Sequence, residues 1–166
     1  MRSLSLAALF TCTLVCVHCG GAQLQNRRYT DSEASYQIGT LSSKWQPIDV
    51  DGHNDLAWHN QSAQAVLQVN ASCSRELDIP LPALTNHLLI GFTERRIHTQ
   101  QLIPMDNREA LFTHLRARLD GQARQLALVV LKKDGCVYDF SLVSVDNEEF
   151  GNLLAEFKTF LSDFSA

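Results

Sequence analysis

Residues 126–143, LALVVLKKDGCVYDFSLV, constrain the fold more than any other stretch of this chain. Asp134-Gly135 separates two apolar runs, and Asp-Gly suits a two-residue hairpin turn because both turn positions need a positive φ. Each run is apolar on both of its alternating faces near the middle. That pattern predicts a hairpin at the centre of a sheet covered on both sides. Cys136 sits where the second strand leaves the turn.

Two more Asp-Gly pairs, Asp51-Gly52 and Asp120-Gly121, predict further antiparallel neighbours. Residues 36–41 and 45–50 read as one strand broken at Ser42-Ser43, and 54–60 as the next. Residues 63–73 alternate, with Ala65, Leu67, Val69, Ala71 and Cys73 on one face. Pro82 in a first turn and Gly91 as a cap bracket a helix over 83–90. Residues 95–103 read as a strand or an extended crossover, and 108–119 and 124–133 as strands. Asp146 as N-cap, with Glu149 three residues on, predicts the start of the last helix. Its apolar stripe is Phe150, Leu153, Leu154, Phe157, Leu161 and Phe164. The predicted order is β-β-β-α-β-β-β-β-α. This is an α+β class, with a central antiparallel sheet of six or seven strands between helices, an α/β/α sandwich.

The domain so predicted spans 36–166. Residues 1–19 have the form of a secretory signal, with Arg2 and then an apolar core of about 14 residues, too short to be a stable span. Three outcomes are open: lipidation of Cys19, ordinary cleavage before Gln23, or retention of the segment as an anchor. Residues 20–35 lack periodicity and read as a flexible tether. After residue 22, thirteen basic residues face eighteen acids. That mild acidity gives no general attraction to nucleic acid.

With the signal cysteines set aside, Cys73 and Cys136 remain, each in step with the apolar face of its strand. Two cysteines in an exported chain predict a disulfide. Buried free thiols or a metal pair are the alternatives, and no further ligand stands at zinc spacing. His53 and His59 flank Asp55, yet no HxxxH or HxH pair exists, so no metal site is assigned. No G-x-S-x-G elbow or phosphate-binding glycine loop occurs, and neither a catalytic residue nor a cofactor is assigned. Residues 95–133 hold eight basic residues against three acids, either a basic face for an acidic partner or ordinary solvated strands. Asn60-Gln61-Ser62 and Asn70-Ala71-Ser72 match the glycosylation pattern, relevant only in a eukaryotic host.

The Trp45 strand, the strand 54–58 after a turn, the central helix, the hairpin 132–137 and the Phe-rich last helix resemble a known fold. It is shared by the extrinsic P subunit of photosystem II and the small Ran-binding Mog protein, and the resemblance covers about residues 36–164. The whole chain also resembles small bacterial lipoproteins built as signal, cysteine, tether and such a domain. The resemblance implies a non-enzymatic accessory or binding lipoprotein at the cell envelope, on the periplasmic face of a membrane. Its partner would be an envelope protein, a transporter or a membrane complex. A secreted domain holding a small apolar ligand between sheet and helix is the second expectation, and an enzyme with an unrecognised site the third.

Overall fold

The computed structural model describes residues 22–49, 54–73 and 79–166. Seven strands form one antiparallel sheet: β4 (Gln46–Ile48), β5 (Leu56–Asn60), β6 (Ala65–Cys73), β7 (Thr93–Met105), β8 (Arg108–Leu119), β9 (Gln122–Lys133) and β10 (Cys136–Val145). Their spatial order is β4-β5-β6-β10-β9-β8-β7. The opening hairpin is β9–β10, and β10 is the middle strand, as the two-sided apolar pattern predicts. Asp134 and Gly135 take φ of 52° and 82°, and Asp120 and Gly121 take 49° and 77°, the paired positive values of a type I′ turn. Asp51-Gly52 lies outside the described residues.

Helix α1 (Leu81–Leu88) and helix α2 (Phe150–Ser162) lie on opposite faces of the sheet. The alternation of β9 shows why both faces need cover. Leu126, Leu128 and Val130 pack with Leu84, Leu88 and Leu89 of the α1 region. Ala127, Val129 and Leu131 pack with Phe150, Leu153, Phe157, Phe160 and Leu161 of α2. Successive side chains therefore meet different helices, and from Gln125 to Leu131 neither face of β9 reaches water. The expected α/β/α layering and element order hold for this sheet.

Some local expectations are corrected. Helix α1 begins at Leu81 rather than 83, because a proline is tolerated at either of the first two helical positions. Helix α2 starts at Phe150, and the capping box does not form. Asp146 instead accepts a hydrogen bond from Gln125 Nε2 at 2.7 Å and forms an ion pair with Arg116, Nε 3.1 Å away. Those partners hold its carboxylate against the sheet. The stripe also includes buried Phe160.

The larger correction concerns residues 22–35, expected to be part of a tether. They carry β1 (Gln23–Gln25) and β2 (Arg28–Thr30), which join β3 (Ser35–Gln37) in a second, three-stranded sheet. Tyr29 is 4% exposed, lies opposite Tyr36 in register and stacks on it with centroids 5.0 Å apart. One buried aromatic supplies the apolar area that the polar composition hides. The expected strand 36–50 accordingly divides between β3 and β4. The connection passes Gly39, where a Cβ would run into the Phe160 carbonyl of α2. Only a glycine lets the two backbones meet there.

Candidate functional site

Strand β7 forms one edge of the large sheet, so one row of its backbone N–H and C=O groups faces away from β8. It is 13 residues long, and every residue from 93 to 102 is exposed. Its beginning is irregular, with register shifts between Thr93 and Arg96 and between Ile97 and Thr99. Glu94 has a φ of 48°, and the Arg95 guanidinium folds back onto the Phe92 carbonyl at 2.9 Å and onto the Leu89 carbonyl. Such bulges turn an edge away from unwanted pairing. At the far end Pro104 supplies no N–H. Between these guards, residues 99–103 (Thr-Gln-Gln-Leu-Ile) run in unbroken register with β8 and carry no charge, proline or bulge.

The two faces of this strand differ. Ile97 pairs with Leu115 and Leu102 with Leu111, which puts both on the α1 side, where they remain 55% and 54% exposed. On the α2 side, Gln101, Ile103 and Met105 of β7, Phe112 of β8, and Lys158 and Leu161 of α2 line a groove of about 600 Å³. Lys158 Nζ stands 5.4 Å from the centre of the Phe112 ring, a cation over an apolar floor. Asp106 closes one end. It accepts from Lys133 Nζ at 2.5 Å and from the Ala166 amide at 2.8 Å, while Lys133 also reaches the Ala166 carbonyl at 2.5 Å. Burial alone would raise the Asp106 carboxyl, but the Lys133 and Ala166 bonds hold it below its ordinary range. Toward the other end His98 lies against His114, centroids 5.1 Å apart, and His114 stacks on Phe150 at 5.0 Å. Burial lowers the His114 imidazole first of all, and nearby His98, Arg116 and Lys158 add to this against the raising effect of Gln125. A second groove, about 420 Å³, opens on the opposite face past the end of α1, lined by Val66, Leu88, Phe92, Leu128 and Val143.

The basic stretch 95–133 is largely answered from within. Arg108 pairs with Asp134 at 3.8 Å, Arg116 with Asp146 at 3.1 Å, Arg118 with Glu94 at 3.0 Å and Lys133 with Asp106. Arg96 and Lys158 have no such ion pair among the described residues. Both belong to the α2 side, Arg96 through its register with Arg116.

Cys73 and Cys136 lie directly opposite one another on β6 and β10 and form a disulfide, their Cα atoms 4.0 Å apart. Cys19 and His53 lie outside the described residues, and His59 is half-buried on β5. Among the described residues no three metal-ligating side chains gather, and no helix is long and apolar enough to cross a membrane. Asn60 is 2% exposed and spends its side-chain oxygen on Ser62 and the Ala63 amide, so that acceptor pattern is inaccessible in the folded chain. The perturbed groups Tyr29, Tyr36, Asp31 and Asp55 are structural ties. Tyr36 donates to Asp55 Oδ2 at 2.8 Å, the Ala71 amide to the same oxygen at 2.9 Å, and Tyr29 to Asp31 at 3.0 Å. Burial raises the Tyr29 and Tyr36 hydroxyls and the Asp55 carboxyl, and these bonds join the small sheet to the large one.

The edge and its groove were not singled out from the sequence. The available signal was the length of a strand polar on both faces, flanked by a proline and two arginines.

No protein-family model and no curated protein matches the chain. Solved structures do. The cyanobacterial PsbP protein CyanoP of Synechocystis sp. PCC 6803 superposes with a TM-score of 0.61 at 18% identity, over 95% of this chain and 98% of that one. LpqN of Mycobacterium tuberculosis gives 0.60 at 12% identity, over 81% and 85%. The Ran-binding protein Mog1p of Saccharomyces cerevisiae gives 0.57 at 7% identity, over 84% and 89%. At these identities the likeness is one of fold: the chain has the PsbP/Mog1p-like fold.

Proposed function

We propose that this is a non-catalytic accessory protein of the cell envelope, exported, held at the periplasmic face of a membrane by a lipid on Cys19, and working by binding a protein partner. The observation that carries the reading is β7, a long sheet edge with exposed Ile97 and Leu102 beside an open groove. Exposed apolar residues clustered along an unpaired edge suit association with another chain. The perturbed groups Tyr29, Tyr36 and Asp55 support a non-enzymatic role, since each is already engaged in holding the two sheets together. Two proteins of this fold have names that point the same way: LpqN is described as involved in cell envelope biogenesis, and Mog1p as Ran-binding. The test is affinity capture of the full-length protein from detergent-solubilised native membranes after chemical crosslinking, with palmitate labelling of wild type and Cys19→Ser in parallel. One envelope protein in near-stoichiometric yield, and label lost in the variant, is the expected result. A mature chain beginning at unmodified Gln23 removes the lipid anchor, and capture of no envelope protein removes the accessory role.

The groove between sheet and α2 favours a second reading, a small apolar ligand bound there. Native mass spectrometry of the purified protein would then show a bound mass that Phe112→Lys abolishes.

A further inference from the structure

We propose that β7 accepts an extended segment of another polypeptide as an eighth strand of the large sheet, and that this segment alternates acidic and aliphatic residues. The inference rests on the partner-binding reading above and names the chemistry of the partner.

Backbone geometry identifies the docking window. A sheet edge offers hydrogen bonds to any extended chain unless bulges, prolines or charges forbid it. In β7 the forbidding features sit at the two ends: the register shifts before Thr99, and Pro104. Residues 99–103 between them have none, and about five residues of edge give a strand-length ladder.

Side chains then specify what can dock. A strand added beside β7 sends alternate side chains to opposite faces of the sheet. On the α1 side they meet Ile97 and Leu102, both more than half exposed. Aliphatic residues at every second position would cover them. On the α2 side they meet the mouth of the groove, which Lys158 lines, and Arg96 lies on the same side beyond the register shift; neither cation has an ion pair among the described residues. Of the acids nearest this edge, Glu94 is used by Arg118 and Asp106 by Lys133, while Glu109, opposite Pro104, is on the α1 side and away from these cations. Acidic side chains at the intervening positions would answer those two charges above a partly desolvated floor, where an ion pair counts for more than it does in open water.

Charge also separates this occupant from a second copy of the same chain. Antiparallel pairing of β7 with itself would set Arg96 against Pro104 of the other strand if centred on Gln100, and against Asp106, whose carboxylate Lys133 already holds, if centred on Gln101. Both cations would stay unanswered. An acidic segment answers them.

The test uses the mature chain and a synthetic probe, an octapeptide alternating valine and glutamate, with its valine–lysine counterpart as control. Amide hydrogen exchange by NMR and fluorescence anisotropy report where and how tightly each binds. The valine–glutamate probe should slow exchange at amides within residues 99–103 and bind more weakly as salt rises. Two pairs of substitutions at exposed positions separate the contributions. Ile97→Ser with Leu102→Ser should weaken the probe by about tenfold or more. Arg96→Glu with Lys158→Glu should do the same and transfer preference to the valine–lysine peptide. Thermal midpoints near wild type would show that both double variants are folded. The proposal is overturned by protection elsewhere, by no binding at millimolar probe, by equal binding of the two peptides to wild type, or by self-association through the same amides without response to the probe. A membrane partner captured equally well by both double variants would leave the accessory role standing and remove the edge as its site. Probe binding at β7 with no envelope partner would do the reverse.

Discussion

Asp139 shows how one residue can set the pH dependence of the whole domain. It lies on β10, flanked in register by Asn70 on β6 and Val130 on β9, on the face that Val137 shares with α1. Burial raises its carboxyl from the ordinary 3.8 to about 6, against a lowering hydrogen bond from Asn70, and Oδ1 has no hydrogen-bond partner. A buried acid with one oxygen unsatisfied is stabilised in its protonated form. The sign follows from which state loses its proton first. Below pH 4 the carboxyl is protonated whether the chain is folded or unfolded, and it costs nothing. Between pH 4 and 6 the unfolded chain ionises first, so stability falls as pH rises. Above pH 6 the full penalty, about 3 kcal/mol, is present. Asp139→Asn keeps the shape and the Asn70 partner without the charge. It should raise the urea midpoint at pH 8 and leave it nearly unchanged at pH 3.5. A variant less stable than wild type at both pH values would show that the carboxylate is satisfied as it stands. The sequence does not mark this residue, because one acid among apolar neighbours in a strand reads as solvated until a helix is known to cover that face.

Among the elements, turn chemistry decides what could be read. The two described Asp-Gly turns were legible because Gly accepts a positive φ at no steric cost. Asn26-Arg27 (49° and 66°) and Asp106-Asn107 (46° and 60°) make the same two-residue turn without glycine, between Gln25 and Arg28 and between Met105 and Arg108. Asn and Asp tolerate that conformation, but neither pair stands out in a sequence, so β7 could be read only as a strand or a crossover. The disulfide was legible for a different reason: apolar periodicity put both cysteines on inward faces before their elements were paired. It closes a loop across a separation of 63 residues that includes α1 and β7 to β9. Loop entropy assigns such a closure about 4 kcal/mol. The double variant Cys73→Ser, Cys136→Ser should lose stability of that order in guanidinium unfolding, and wild type in excess reductant should approach it. Equal midpoints with and without the bridge would mean that the β6–β10 ladder already orders these residues in the unfolded chain.

For the molecule as a whole, the boundary of the folded unit decides how it can sit on a membrane. The seven-stranded sheet and its helices were legible because 3.6-residue and two-residue periods run long enough to be counted. The small sheet was not, since its strands are three residues each and two tyrosines, Tyr29 and Tyr36, carry its burial. It is nonetheless integral. Tyr29 stacks on Tyr36, Arg27 bonds Asp163 at 3.2 Å beyond the end of α2, and Gln37 pairs with Ser165 near the C-terminus. With β1 starting at Gln23, only residues 20–22 separate Cys19 from the fold. At roughly 3.5 Å per residue, three residues and their flanking bonds reach about 14 Å at most. A lipid on Cys19 would therefore hold the small sheet against the headgroups instead of letting the domain swing on a 16-residue leash. A chain beginning at residue 36 tests the premise. It loses the Tyr29 ring and uncovers Tyr36, and should unfold with about 3 kcal/mol less stability than a chain beginning at residue 22. Protease should cut the shorter chain faster. Identical midpoints would restore residues 22–35 to the status of a tether and free the domain to stand off the membrane.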